Sequence, residues 1–465
     1  MQLSNEEEDY NLSLSKFESM LKTNKVLFFD SEEFEEIILH YLDMGKAALA
    51  KKALKLALDQ HPKSTGLKLV QVEMLVYDDK LELAEKLLNE LYAIEPTNEE
   101  IYIQKANIYS KRDQHEKAVE LLKIALKYTD DYADVYNLIG MEYLFMDNFE
   151  LAKESFIKCL EEDLEDQSAL YNVVYCFEFL DQNQEAITFL NEYIEKNPYS
   201  EIAWHQVGRL HYGVKEYENA IRAFDYATLI DDEFLGAFME KAKAFERLKK
   251  YKEAIESYER TIELDDATSY ALLRIGKCHE KLGNKALALK YFNQTVHEDP
   301  LLDKGWIAIT DFYVRQKNFQ KALFFVNKAL AIDNQNQLYW KRYASINKQM
   351  NFFEEAEFGY RKAVEFGDHS LETWLFWVDI LQFLGEFDSA IKTLLQASEY
   401  FPEENEVEYR LAGLYYMQAD NTKAKFHLSN ALRLNFDNKV VLEELYPVVW
   451  ARKIVQNHIL KYIKP

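Results

Sequence analysis

Cysteine, proline and glycine are scarce in this 465-residue chain, which holds three, seven and thirteen of them. The cysteines (Cys159, Cys176, Cys278) form no CxxC pair, so neither a disulfide framework nor a zinc site is available, and a reducing compartment, the cytoplasm, fits. So few prolines and glycines exclude a loop-rich, many-stranded fold and favour extensive helix. No apolar run approaches the length of about 18 residues that a membrane span requires. The opening stretch "MQLSNEEEDYNLSLSKFESML" is acidic where a secretory leader is basic, and it lacks an apolar core. Positive charge is also in deficit: 55 Lys and Arg face 80 Asp and Glu, a net of −25. That balance discourages whole-surface binding to nucleic acid or to an anionic membrane, while leaving room for a local basic site. GxGxxG, a phosphate loop, HExxH and GxSxG are all missing.

What is present is a repeat. "YKEAIESYERTIELDD" at 251–266 echoes "YENAIRAFDYATLIDD" 34 residues earlier. Stepping by 34 from Ala50 to Ala424 lands on alanine twelve times without insertion or deletion. Counting each unit from nineteen residues before that alanine, position 4 is aromatic in Phe34, Tyr102, Tyr136, Trp204, Phe238, Trp306, Trp340 and Trp374. Position 8 is small in Ala106, Gly140, Gly208, Ala242, Gly276, Ala344 and Ala412, and position 27 is alanine in seven units. Five of the seven prolines (Pro62, Pro96, Pro198, Pro300, Pro402) stand at position 32. Apolar residues inside each unit recur at helical spacing, so 34 residues accommodate two short helices and a turn. Small residues at positions 8 and 20 let the helices approach, aromatics fill the remaining gaps, and proline ends the second helix. A single pair cannot bury both faces, so the pairs must stack.

The columns resemble the tetratricopeptide repeat family, with its W-x2-L-G-x2-Y, A-x3-F-x2-A and closing P. In the unit from 201 they read Trp204, Val207, Gly208, His211, Ala220, Phe224, Ala227 and Asp232, with His211 and Asp232 departing from the usual Tyr and Pro. The resemblance implies an all-α fold, an α-solenoid in which helix-turn-helix repeats stack into a right-handed superhelix. Twelve units are expected over 31–438, starting at 31, 65, 99, 133, 167, 201, 235, 269, 303, 337, 371 and 405. Ahead of them lies an acidic segment, 1–30, with 1–10 disordered and a leading helix over 11–24 that turns Leu14, Phe17 and Leu21 to one face. Behind them, 439–465 is apolar at helical spacing and reads as a capping helix, with Pro447 opening a second helical piece.

No catalytic constellation emerges. His211 and His279 share a packing column and the cysteines sit at small-residue positions, so structural roles outweigh metal binding or nucleophilic attack. With the repeats taking 408 residues, neither end can house a catalytic domain; the expectation is a protein without enzymatic activity, cofactor or metal.

In the family, positions 2, 5, 6, 9, 12 and 13 of the first helix line a concave surface. In units 1–5 these positions are acidic (Glu32, Glu35, Glu36, Asp43, Glu73, Glu100, Asp134, Glu178), with Lys111 alone opposing. In units 6–10 they carry Arg209, Lys243, Arg247, Arg274, Lys277, Lys281, Lys304, Arg315, Lys341, Arg342 and Lys348, against Glu240, Glu246, Glu280 and Asp311. Such a basic stretch would focus potential toward an acidic partner, unless the acids at helical spacing neutralise it. An aromatic set (Phe145, Tyr171, Tyr175, Phe179, Tyr212) at inner positions would anchor an extended peptide or pack against neighbouring helices. The Lys/Asn clamp with which some family members hold a terminal carboxylate is not assembled; Asn137 and Asn172 are fragments of it. The expected function is therefore a protein-interaction scaffold that binds an extended, acidic peptide segment. Two alternatives stay open: RNA binding through the same stretch, which the acidity and the constant 34-residue period count against, and self-assembly of oppositely charged halves.

Overall fold

The computed structural model describes residues 13–22, 27–264 and 268–462, and every regular element among them is helical. The chain divides into two compact units, Met1–Asp232 and Glu233–Pro465. The first carries six helix pairs, from Ser31–Asp43 with Ala47–Gln60 to Glu201–Gly213 with Tyr217–Ile230. The second carries six more, from Leu235–Arg247 with Tyr251–Leu264 to Asn405–Met417 with Asn421–Leu434. Within each unit the two helices of a pair pack on each other, and the second packs on the first helix of the following pair. Each unit is thus an α-solenoid. The pairs are numbered 1 to 12 below.

The alanine column is the joint. All twelve alanines from Ala50 to Ala424 are fully buried. Opposite them, positions 8 and 24 share one volume. Where position 8 is glycine, position 24 is phenylalanine, and a Cβ added at Gly140, Gly208 or Gly276 would stand 2.4–2.6 Å from the ring of Phe156, Phe224 or Phe292. Where position 8 is alanine the partner is Leu122, Tyr258, Tyr360 or Leu428, and opposite Thr310 it shrinks to Val326.

Every pair turns the same way. Position 15 has positive φ in all twelve: Gly45, Gly283 and Gly385, but also Asp79, Asp113, Asp147, Asp181, Lys215, Lys249, Lys317, Asn351 and Ala419. The N–H of position 16 then donates to the carbonyl of position 11, from Lys46 to Tyr41 at 2.7 Å through Asp420 to Tyr415 at 2.9 Å. This is the Schellman closure of the first helix, repeated at each turn. Three polar types (Asp, Lys and Asn) and alanine tolerate the left-handed conformation because the closure and the packed helices impose it.

At the N-terminal end, residues 13–22 are helical, and Phe17 and Met20 bury against Phe34, Ile37 and Tyr41. The disorder expected for residues 1–10 lies outside the described residues. The C-terminal tail forms three short helices, Val440–Leu445, Pro447–Trp450 and Lys453–Leu460. Tyr446 closes the core of pair 12 by laying its ring on Gly413, and Arg452 Nη1 donates to the Tyr416 carbonyl at 2.7 Å. No helix among the described residues is long and apolar enough to cross a membrane.

Two predictions follow from the joint and the turn. Gly208→Ala forces the added methyl into Phe224 and should cost about 1–3 kcal/mol. Adding Phe224→Leu, which recreates the Ala–Leu combination of pairs 3 and 12, should restore part of that loss in a denaturation midpoint; a double variant no better than the single one would refute the shared volume. Ala419→Gly relieves a left-handed alanine, a strain of about 1–2 kcal/mol, against about 0.4–1 kcal/mol of extra freedom in the unfolded chain. The net expectation is a gain of about 0.5 kcal/mol, and a midpoint at or below wild type would contradict it.

Candidate functional site

The first helices present their charged positions on one face, and in the second unit this face is stitched together by ion pairs between neighbouring pairs. Arg274, at position 6 of pair 8, grips Glu246 of pair 7 with two hydrogen bonds of 2.8 and 2.5 Å. Arg342, at position 6 of pair 10, grips Asp311 of pair 9 at 2.8 and 3.0 Å. Arg315 of pair 9 pairs with Glu280 of pair 8. Lys341 reaches forward to Glu372 at 2.8 Å and toward Asp368 at 3.7 Å. The neutralisation foreseen along single helices thus runs mainly between helices, while Lys243 keeps an acid of its own helix, Glu240 at 4.0 Å. Arg410, not among the expected site residues, belongs to the same ladder, holding Asp379 of pair 11 at 2.5 Å and Glu406 at 2.9 Å. The position-6 column of Arg274, Arg342 and Arg410 would have revealed it.

Four basic residues of this face stand apart from the ladder: Lys277, Lys281, Lys304 and Lys348. Lys277 and Lys281, one helical turn apart on Ser269–Lys281, form no ion pair among the described residues. Both line a cleft of about 340 Å³ together with Arg274, Arg315 and the acids Glu246, Glu280 and Asp311, floored by Tyr251, Phe292 and Ala308. Burial, reinforced by the neighbouring Arg274, pushes the Lys277 ammonium below the usual lysine range. Arg274, Lys277, Lys281 and Arg315 are therefore brought together, whereas Lys341 and Arg342 belong to the joints after pairs 10 and 9, and Arg247 ends Leu235–Arg247.

In the first unit, Arg209 donates to Gln206 at 2.7 Å and to Glu178 of pair 5 at 3.5 Å. Phe145, Tyr171, Tyr175 and Phe179 are each roughly half exposed. Phe179 stacks on Phe149 at 3.7 Å, Tyr175 meets the same ring edge-on at 6.2 Å, and Tyr212 meets Tyr217 edge-on at 5.3 Å. Tyr175 and Phe179 are thus seated on the preceding second helix and Tyr212 on the following one, and Tyr175 and Phe179 keep an open flank. The acidic positions lie here too: burial raises the carboxyls of Glu73, Glu100 and Asp134 above their ordinary range, and each feels a neighbouring acid.

The cysteines and the histidines His211 and His279 are engaged in packing and local contacts. Burial pushes Cys159, Cys176 and Cys278 up to about 12, 11 and 12, so none is a thiolate near neutrality. His211 is held by Glu216 at 2.9 Å and His279 stacks on Tyr291 at 5.4 Å. Among the described residues no group of His, Cys, Asp and Glu is placed to hold a metal ion.

Comparison with known proteins fits this architecture. Family models described as tetratricopeptide repeat match residues 75–141, 133–166, 168–200, 207–267 and 239–302. Anaphase-promoting complex subunit 3 of Schizosaccharomyces pombe is 26% identical over 157 residues, which are 34% of this chain and 24% of that protein. Among solved structures, MamA is 22% identical over 37% of this chain and 94% of its own, with a TM-score of 0.33. A tetratricopeptide repeat protein of Parabacteroides merdae is 14% identical over 54% of this chain and 99% of its own, with a TM-score of 0.40. YrrB, "a TPR protein with an unusual peptide-binding site", is 22% identical over 40% of this chain and 95% of its own, with a TM-score of 0.31. With a constant 34-residue register, Schellman-closed helix pairs and matching repeat models in both units, the chain belongs to the tetratricopeptide repeat family.

Proposed function

We propose that this protein is a non-enzymatic protein-interaction scaffold that seats an extended acidic segment of a partner in the cleft of pairs 7–9. The reading rests on twelve repeats over 31–438, with 1–30 leading and 439–465 covering the last. The three buried, unpaired cysteines suit a reducing compartment such as the cytoplasm.

One observation supports the proposal: where Arg274 and Arg315 are held by Glu246 and Glu280, Lys277 and Lys281 form no ion pair among the described residues and line the same cleft. A carboxylate arriving between them gains two ammonium groups without breaking Arg274–Glu246 or Arg315–Glu280. Those two ion pairs keep the guanidinium groups oriented, so the incoming side chain meets a cleft already set. Lys277 gains most, because a partly desolvated ammonium is favoured by any anion brought beside it. RNA phosphates would meet the same lysines, but they would also meet Glu246, Glu280 and Asp311, which a spaced acidic peptide can straddle more readily than a continuous phosphate backbone.

Fluorescence anisotropy with a labelled peptide of alternating Glu and Ser tests this. Lys277→Glu with Lys281→Glu should weaken binding about tenfold or more, while Gln in place of Glu in the peptide should abolish it. Equal affinity for the Gln peptide, no effect of the double reversal, or tighter binding of a single-stranded RNA of similar length would each overturn the proposal.

A further inference from the structure

A second groove lies between the second helices of pairs 10 and 11, Phe353–Glu365 and Phe387–Tyr400, with a volume of about 540 Å³. It shares no lining residue with the Lys277–Lys281 cleft. One wall is aromatic: His369 stacks on Tyr400 with centroids 4.5 Å apart, and Trp374 lies 5.9 Å from both Tyr400 and Trp377 with its ring tilted about 30° to each.

Trp374 occupies the position-4 column but does not behave like its counterparts. The indole N–H groups of Trp204, Trp306 and Trp340 donate to the carbonyl six residues upstream, on Pro198, Pro300 and Asn334, at 2.8–3.0 Å. That of Trp374 is buried and has no acceptor. The cause is the connector: Gly367 takes φ +102, and Asp368 turns inward to accept from the Ser370 N–H at 3.0 Å, its hydroxyl at 2.6 Å and the Thr373 hydroxyl at 2.7 Å. The anchor that fixes the other tryptophans is given up, and this ring forms part of a groove wall instead.

The groove is also acidic. Four carboxylates line it, those of Glu357, Glu365, Glu386 and Glu399, against Arg361 and Lys392. Arg361 is committed to Glu357 at 3.2 Å and Glu365 at 3.7 Å, and Glu357 also accepts from the Trp377 indole at 3.0 Å. Glu386 and Glu399 have no ion-pair partner among the described residues, and they mark the two ends of helix Phe387–Tyr400, about 20 Å apart by helical rise.

We propose that this groove is a second interaction site, which takes an extended basic segment of a partner protein and seats an arginine against the aromatic wall beside Glu399. Near-parallel rings present flat faces to a planar guanidinium, and an uncommitted carboxylate at the edge supplies its counter-charge. The length of the groove suits several extended residues, with Glu386 meeting a further basic side chain. The surface is distinct from the Lys277–Lys281 cleft, so the protein would hold two segments of opposite charge.

The test uses the full chain and a fluorescein-labelled peptide of alternating Gly and Arg, with a citrulline version of the same shape but no charge. The arginine peptide should bind about tenfold more tightly than the citrulline peptide. Tyr400→Ala and Glu399→Lys, both at exposed side chains and so safe for folding, should each weaken it about fivefold or more. Lys277→Glu with Lys281→Glu should leave it unchanged, which separates this site from the other. Equal affinity for the citrulline peptide would overturn the proposal. So would arginine-peptide binding untouched by Tyr400→Ala and Glu399→Lys, because the peptide would then sit on the acidic positions of pairs 1–5.

Discussion

Two helices in each pair are held at a distance set by the side chains between them, and that distance fixes the rest of the fold. Alanine at position 20 removes every atom beyond Cβ from the contact, in all twelve pairs. What remains is one small volume shared by positions 8 and 24. Glycine there admits a phenylalanine ring, alanine admits Leu or Tyr, and a β-branched residue at position 8 is met by Leu or Val, as in Val72–Leu88, Val174–Leu190, Val378–Leu394 and Thr310–Val326. A larger residue on one side without a smaller one on the other would push the helices apart. The next pair packs across both, so the error would pass along the unit.

A constant joint also makes the outer positions regular, and the charges exploit this. Because neighbouring first helices keep one spacing, an arginine at position 6 meets an acid at position 9 or 12 of the preceding pair in pairs 8, 10 and 12. The ion pairs of pairs 8 and 10 are partly exposed, so each adds little to stability, whereas Arg410 of pair 12 is buried. Their effect is positional: guanidinium groups are fixed, local charge is cancelled, and any basic residue left over is conspicuous. Lys277 and Lys281 matter because both are left over in one cleft, rather than for the total of positive charge around them.

The alanine register, the helix pairs and the small-residue columns were legible in the sequence because each records a local steric demand that recurs every 34 residues. The left-handed turn at position 15 was not legible. Only Gly45, Gly283 and Gly385 advertise it; Asp79, Lys215 or Ala419 adopt it because the closing hydrogen bond and packed helices require it. The groove charges were legible as residues but not as partners. Glu246 reads as a neighbour of Arg247 or Lys243 along its own helix, while its hydrogen bonds reach Arg274 in the following pair. Trp374 is the clearest case of a hidden difference. In sequence it completes a column of four tryptophans, and only the φ of Gly367 and the inward turn of Asp368 set it apart.

Net charge weighs on the two proposed surfaces in opposite ways. At −25, the whole molecule repels an acidic segment and attracts a basic one. At physiological ionic strength that field is screened over about 8 Å, so contact charges decide affinity once a segment has arrived. For the cleft of Lys277 and Lys281, added salt weakens the local attraction but also relieves the distant repulsion, and the two effects offset. For the groove of Glu399 and Tyr400, local and distant terms share a sign, so salt diminishes both and leaves mainly the stacking on aromatic rings. Approach to the cleft is thus slow and depends on fit, whereas approach to the groove is steered.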